Sequence, residues 1–191
     1  MSLRIGCLAA AAALSVTAPA SAADPYGELA PFQLVEELRA GVFGDDAVGR
    51  ERQAPMGSVE LLSSPMQFYA TANPALAALF NPRFETGAML NGYGLTSYAF
   101  AGLNWRTPQW NRVFGEFGFG GAVNDSSNDP HNPRRTDLGC PVTFRESAGL
   151  GFNLTDRIDI VGSIEHISQA QLCSRNNPGL TSVGLRIGYK F

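Results

Sequence analysis

The segment Arg157-Ile-Asp-Ile-Val-Gly-Ser-Ile-Glu-His-Ile-Ser168 decides the fold, because its residues alternate between two faces at the period of a β-strand. One face carries Ile158, Ile160, Gly162, Ile164, His166 and Ser168, and the other carries Asp159, Val161, Ser163, Glu165 and Ile167. In a soluble sheet the apolar face packs on the core, whereas in an outer-membrane barrel it faces lipid and the polar face lines the lumen. In a barrel, His166 and Ser168 would therefore face lipid, which is an unusual position for this pair unless the substrate is a lipid.

Seven further segments alternate in a similar way, and together they predict about eight strands, most of them near the ~9–11 residues that a transmembrane strand needs. They are residues 32–43, 58–63, 83–91, 96–105, 113–124, 141–153 and 180–191. Two points stay open: the faces of segment 96–105, and whether 74–80 forms a helical turn or only a periplasmic connection. We therefore predict an all-β fold, an eight-stranded antiparallel transmembrane β-barrel.

Residues 1–23 have the pattern of a secretory signal peptide. Arg4 precedes an apolar run from Ile5 to about Leu14, and the sequence Ala20-Ser-Ala-Ala23 supplies a small-residue cleavage site. We expect one mature domain, the barrel, over residues 24–191.

Composition excludes several classes of protein. The net charge of -3 gives no reason to expect a nucleic-acid partner. After the leader, no apolar run approaches the ~18 residues of a spanning helix. The two histidines and the cysteines lack metal-site spacing, so neither a metal nor another cofactor is predicted.

Charged residues recur on the polar faces of the predicted strands. Mixed charges in a small barrel more often form a buried network than a channel. The residues concerned are Glu37, Arg39, Glu60, Glu85, Glu116, Arg145, Asp159, Glu165 and Arg186.

Connection lengths alternate in the second half of the chain: short after Trp105 and Asn153, long after Asn124 and Ser168. Short periplasmic turns and long extracellular loops alternate in this way. Cys140 and Cys173 then lie at the extracellular end, and in an exported chain we expect them to form a disulfide, with two free thiols as the alternative.

Several motifs resemble the PagL-type lipid A 3-O-deacylases, a family of outer-membrane acyl hydrolases. The most specific is H-x-S in the penultimate strand, and the aromatic C-terminal residue resembles the assembly signal of outer-membrane barrels. The stretches that carry the resemblance are His166-Ile-Ser-Gln-Ala170, Asn177-Pro-Gly-Leu180, Gly184-Leu-Arg-Ile-Gly-Tyr-Lys-Phe191, Glu37-Leu-Arg-Ala-Gly-Val-Phe43, Asn91-Gly-Tyr-Gly-Leu-Thr96, Ala101-Gly-Leu-Asn-Trp105 and Phe144-Arg-Glu-Ser147.

The resemblance implies an eight-stranded barrel with an active site on its outer surface, which hydrolyses the acyl ester at position 3 of lipid A in the outer leaflet. It implies Ser168 as the nucleophile and His166 as the general base. The family has an asparagine as an oxyanion donor after the serine and a glutamate that orients the histidine from the last strand. This chain has Gln169 and Thr181 at those positions.

A serine dyad needs a third group that fixes the tautomer of the imidazole. Thr181 could bond the ring. Glu146 is a second candidate, because pairing Phe152 with Ile160 would place it opposite His166, and a lipid-facing carboxylate is costly to leave unpaired. We hypothesise that Glu146 replaces the missing acid; the alternative is that it lies in the interface region or pairs with a surface base.

The oxyanion donors remain open at this point. The side-chain amide of Gln169 and the backbone N–H groups of Gln169 and Ala170 are equally plausible.

The sequence thus favours an outer-membrane serine esterase whose partner is lipid A, the anchor of lipopolysaccharide, and it leaves a homodimer open. The departures at Gln169 and Thr181 favour a rival, a non-catalytic structural or adhesive barrel with a degenerate site. A third alternative is a soluble lipocalin-like ligand-binding barrel, in which the same apolar faces would point inward.

Overall fold

The computed structural model describes residues 31–47, 49, 51, 54–127, 134–173 and 178–191. The predicted signal peptide, residues 1–23, lies outside the described residues. Eight antiparallel strands pair in chain order, and β8 pairs with β1 to close the barrel. The strands are β1 (Glu37–Gly44), β2 (Pro55–Pro65), β3 (Arg83–Asn91), β4 (Tyr98–Arg106), β5 (Val113–Asn124), β6 (Val142–Asn153), β7 (Ile158–Ser168) and β8 (Leu180–Lys190). The predicted eight-stranded barrel is confirmed.

The apolar faces of the strands point outward. Along β8, Val183, Leu185 and Ile187 are exposed, whereas Ser182 and Arg186, which lie at the alternate positions, are buried. Since a soluble barrel packs its apolar faces inward, the lipocalin-like alternative is wrong, and the arrangement is that of a transmembrane barrel.

Ion pairs fill the lumen and link strands that face each other across it. The guanidinium of Arg39 on β1 donates two hydrogen bonds to Glu116 on β5, at 2.8 and 2.9 Å. Arg145 on β6 bonds Glu165 on β7 at 2.8 Å and pairs with Glu85 on β3. The predicted buried network is present, because each charge that alternation directs inward meets an opposite charge there.

The first two strands differ from their predicted limits. β1 begins at Glu37 instead of residue 32, because its pairing with β2 and β8 begins there. β2 extends from Pro55 to Pro65, well beyond the predicted 58–63, with a register irregularity between Leu62 and Pro65.

The structure shows which side chains of β4 point into the lumen, a point that the sequence left open. Tyr98 and Phe100 are buried inside the barrel, and the Phe100 ring lies 3.7 Å from the guanidinium carbon of Arg145. An aromatic face attracts a guanidinium, so a large apolar ring is stable among the lumen arginines. Leu103 and Trp105 lie on the outward face.

The segment Pro74–Phe80 forms a helix, α1. The side chain of Asn73 caps it by accepting from the Ala75 and Leu76 N–H groups, and Pro74 starts the first turn without needing a donor. No described helix is both long and apolar enough to cross a membrane.

Connections meet at two ends of the barrel. At the terminal end, where β1 begins and β8 ends, lie the β2–β3 segment with α1 and the turns 107–112 and 154–157. The opposite end, here called the loop end, carries the described residues of the connections 45–54, 92–97, 125–141 and 169–179. There a disulfide joins Cys140 to Cys173, as predicted, and ties together the two connections that flank β6 and β7.

Candidate active site

His166 lies near the loop end of β7 on the outer surface, half-buried, between two strands that each present a polar residue. Its direct neighbours are Glu146 on β6 and Thr181 on β8. Phe152 pairs with Ile160, which is the register that the sequence required for Glu146 to face the histidine. The three residues therefore form one outward row across three strands.

Thr181 holds one nitrogen of the imidazole. Its Oγ1 lies 2.8 Å from Nδ1 of His166. In the tautomer in which Nδ1–H donates to this hydroxyl, Nε2 of the neutral ring is left to accept a proton. The hydroxyl of Thr181 thus holds the orientation of the imidazole ring on the outer face.

Glu146 is exposed on the outer face of the barrel, and within the described part of the chain its carboxylate makes no hydrogen bond or ion pair. It pairs directly with His166 across the two strands, whereas the contact with Nδ1 belongs to Thr181. The structure therefore gives the two candidate partners of His166 different positions, one bonded and one across the strand pair.

Ser168 is the last residue of β7 and shares the outward row of His166. Positions i and i+2 of a strand lie about 6.5–7 Å apart along the chain, within reach of a serine and a histidine side chain that lean together. Within the described residues, no hydrogen bond joins Ser168 to His166 in this structure.

A tight turn follows Ser168. The N–H of Leu172 donates to the Gln169 carbonyl at 3.0 Å, and the two central residues, Ala170 and Gln171, have φ angles of 50° and 61°. Non-glycine residues rarely adopt this left-handed conformation, and such strained backbone is found near functional sites. The turn fixes the direction of the backbone immediately after the serine.

The side chain of Gln169 is almost fully buried, at 1% exposure, and points away from the outer face. Its Oε1 accepts a hydrogen bond of 2.6 Å from the N–H of Cys173. It therefore braces the strained turn against the cysteine of the Cys140–Cys173 disulfide. This placement favours the backbone N–H groups over the Gln169 amide as oxyanion donors.

In the sequence, Gly179 is only one residue of the motif Asn177-Pro-Gly-Leu180. The structure places it against the imidazole of His166. A Cβ added there would lie 2.7 Å from Cε1 and 3.1 Å from Nε2 of His166, and the residue has a φ of +64°. The sequence Pro178-Gly179 signals a turn but does not reveal this contact.

Gly179→Ala is expected to lower the kcat of the predicted lipid A deacylation about 100-fold, because the new methyl group would displace the imidazole by up to about 1 Å. Gly94→Ala is the matched control, since Gly94 has a similar φ of +71° in another loop. Backbone strain alone would slow both variants equally, and that result would contradict a role for the contact with His166.

An outer groove continues the site toward the terminal end of the barrel. It encloses about 590 Å³ and begins at the next outward row, where Ala148, Ile164 and Val183 pair across the same three strands. Gly162 leaves a gap in the following row between Leu150 and Leu185. The row with the histidine thus opens directly onto an apolar channel on the outer wall.

Carboxylates at the loop end hold the connections together above the site. Glu51 accepts from the N–H and hydroxyl of Thr96 at 2.8 and 2.7 Å and from the N–H of Thr136 at 2.5 Å. The Ala47 N–H donates to the carbonyl of Thr181 at 2.6 Å. The 45–54 connection therefore supports the strand that carries the partner of His166.

Asp45 makes the stability of this loop cluster depend on pH. Burial, and then the nearby Glu51 carboxylate, raise its pKa to about 8. Between the ordinary aspartate pKa near 3.9 and pH 8, the folded chain holds a proton that the unfolded chain lacks, so stability falls as pH rises through this range. We expect a lower urea midpoint at pH 8 than at pH 5, and a smaller difference for Asp45→Asn, which stays neutral; an equal difference would contradict the shift.

Comparisons with known proteins concern the family and the fold of the chain. The sequence matches the family model described as lipid A 3-O-deacylase (PagL) over residues 84–190. Among solved structures, that of the outer membrane enzyme PagL superposes with a TM-score of 0.61 at 14% identity, covering 81% of this chain and 99% of that one. Neisserial surface protein A (NspA) superposes with a TM-score of 0.53 at 11% identity, covering 84% and 99%.

The two solved structures share the fold with this chain at low sequence identity. A comparison with curated proteins gives no match. The family model covers more than half of the chain, including His166, Ser168, Glu146 and Thr181. The resemblance seen in the sequence is thereby confirmed, and the chain belongs to the PagL family of lipid A 3-O-deacylases.

Proposed function

We propose that this protein is an outer-membrane esterase that hydrolyses the ester-linked acyl chain at position 3 of lipid A, acting from the outer surface of the barrel. The observation that carries the proposal is the hydrogen bond between Thr181 and Nδ1 of His166, on the same outer face as Ser168. It supports an imidazole prepared as a general base, in a chain of the deacylase family.

Ser168 is the proposed nucleophile. Nε2 of His166 takes the proton of the hydroxyl as Oγ attacks the ester carbonyl, and then passes it to the departing 3-oxygen of the sugar. Water, activated by the same imidazole, hydrolyses the acyl-enzyme and releases the fatty acid. No metal or cofactor is invoked for any of these steps.

The tetrahedral intermediate needs donors near its negatively charged oxygen. We assign this role to the backbone N–H groups of Gln169 and Ala170, which directly follow the nucleophile in a conformationally fixed turn. The buried side chain of Gln169 supports the turn through its bond to Cys173.

The two partners of His166 have separate proposed roles. Thr181 orients the ring through a neutral hydrogen bond, which contributes about 0.5–1.5 kcal/mol. Glu146 places a negative charge beside the ring and stabilises the imidazolium that forms during the reaction. The charge acts in a membrane environment of low dielectric constant, where its effect is larger than in water.

Glu146→Gln is therefore expected to lower kcat at least about ten times more than Thr181→Ala, because the amide keeps the size of the side chain and removes its charge. The measurement is the rate of fatty-acid release from lipid A in detergent at saturating substrate. Equal or reversed effects would exclude Glu146 as the missing acid and leave Thr181 as the orienting residue.

The substrate is proposed to reach the site laterally through the outer leaflet. The outer groove below the histidine row is apolar and runs along the barrel wall, as an acyl chain does in a bilayer. Its volume of about 590 Å³ falls within the ~300–1,000 Å³ typical of ligand sites.

Mass spectrometry of lipid A tests the proposal. The native chain is expressed in a Gram-negative host that lacks such an enzyme, and its folding is verified by heat-dependent electrophoretic mobility. The expected result is loss of one hydroxyacyl mass relative to the empty vector. Unchanged lipid A with a folded barrel in the outer membrane would overturn the proposal and favour the non-catalytic alternative.

A further inference from the structure

A second cavity lies at the terminal end of the barrel, far along the strands from His166. It encloses about 870 Å³ between α1 and the ends of β4 and β5. Most of its lining is apolar: Ala75, Ala78, Leu79, Phe80, Trp105 and Phe117. Its volume is in the upper part of the ~300–1,000 Å³ range of small-molecule sites.

The cavity has fixed walls. The indole N–H of Trp105 donates to the Leu79 carbonyl at 3.0 Å, which pins the end of α1 to β4. Asn81 and Tyr69 exchange two hydrogen bonds, of 2.8 and 2.9 Å, across the β2–β3 connection. These bonds fix α1 beside the barrel wall and keep it from closing the cavity.

The surroundings of the cavity are those of a membrane interface. The rings of Phe80 and Tyr69 contact each other at a tilt of 58° with a centroid distance of 5.3 Å, and both rings are about half exposed. Trp105 is within 6.0 Å of Phe117. Aromatic residues gather where barrel strands leave the hydrocarbon, and here the strands end at Arg106 and begin again at Val113.

We propose that this cavity binds one acyl chain of a phospholipid from the periplasmic leaflet. The cavity lies on the outer wall at the level of the strand ends, where the hydrocarbon of that leaflet meets its headgroups. Its apolar lining fits a fatty acyl chain, and the polar Thr107 at one side marks where the chain would join its headgroup. The site is separate from the proposed deacylase site, which faces the opposite leaflet.

Two glycines of β5 provide a matched pair of variants. Gly115 lines the cavity, and an added Cβ would first meet a methyl group of Thr107 at 3.4 Å, an ordinary contact. Gly121 also points outward but lies near the loop end, and its Cβ would meet the Thr143 carbonyl at 3.9 Å. A Cβ at either position makes only ordinary contacts, and of the two positions only Gly115 lines the cavity that a leucine side chain would fill.

Tryptophan quenching provides the test. The chain has two tryptophans, so a Trp110→Phe background leaves Trp105, in the cavity wall, as the only tryptophan, which is excited selectively over tyrosine at the red edge of its absorption. The full mature protein in dodecyl maltoside is titrated with dibrominated phosphatidylcholine, whose bromines quench indole on contact. We expect saturable quenching with about one lipid per protein, at least a fivefold weaker affinity for Gly115→Leu, and no change for Gly121→Leu.

Quenching that rises in proportion to the lipid content of the micelle, equally in both leucine variants, would overturn the proposal and show an ordinary lipid annulus. Equal loss of the saturable phase in both variants would also overturn it. Lipid A deacylation is measured on the same samples, so a failure of the deacylase proposal is read separately from a failure of this site.

Discussion

Ser168→Ala is expected to reduce the rate of lipid A deacylation at least about 10³-fold, because removal of the nucleophile leaves only the binding and oxyanion contributions. The residue ends β7 on the outer face, and its removal breaks no hydrogen bond within the described part of the chain. The measurement is the single-turnover rate of fatty-acid release from purified lipid A.

Ser163→Ala on the same strand is the matched control. Its hydroxyl faces the lumen and accepts from Arg186 at 2.7 Å, so its loss affects a buried contact but not the outer face. We expect near-native rates from Ser163→Ala in a folded barrel. Similar rates from the native chain and Ser168→Ala would refute the assignment of the nucleophile.

Arg145→Ala is expected to lower the free energy of unfolding by about 3–5 kcal/mol, the usual effect of removing one partner from a buried ion pair. The side chain is 1% exposed and bonds Glu85 and Glu165 beneath the Phe100 ring. Its loss would leave the Glu85 carboxylate buried without its cation. Urea unfolding in detergent micelles, followed by tryptophan fluorescence, measures the change.

Arg157→Ala serves as the control for charge removal as such. Its guanidinium is exposed in a turn, where it donates to the Tyr189 hydroxyl at 3.2 Å. A change within about 0.5 kcal/mol is expected for a surface substitution of this kind. Comparable losses in the two variants would contradict a stabilising role for the lumen network.

Strand faces were predictable wherever charge and apolarity alternate strictly. In β7 and β8 the period of two is almost unbroken, and the structure places the two faces as expected. In β4 the alternation of Tyr98 and Phe100 with Leu103 and Trp105 gives two apolar faces, so periodicity alone cannot choose between them. The choice depends on Arg145, which lies on another strand and stacks on Phe100.

The sequence predicted only those site contacts that follow from the pairing of neighbouring strands. The facing positions of Glu146 and His166 follow from a tight hairpin, whose turn fixes which residues pair. The contact of Gly179 with the imidazole and the bond from Ala47 to Thr181 depend on loops that fold back from distant parts of the chain. No pattern of spacing encodes such contacts, and the roles of the site residues stay predictions.

The ion pairs that span the lumen close the barrel to the passage of ions and small solutes. Arg39 reaches from one wall to Glu116 on the other, and Arg145 reaches to Glu85, so side chains obstruct the described barrel along its axis. A planar bilayer holding the protein should show no ion current. We therefore expect small hydrophilic solutes to be excluded from the barrel.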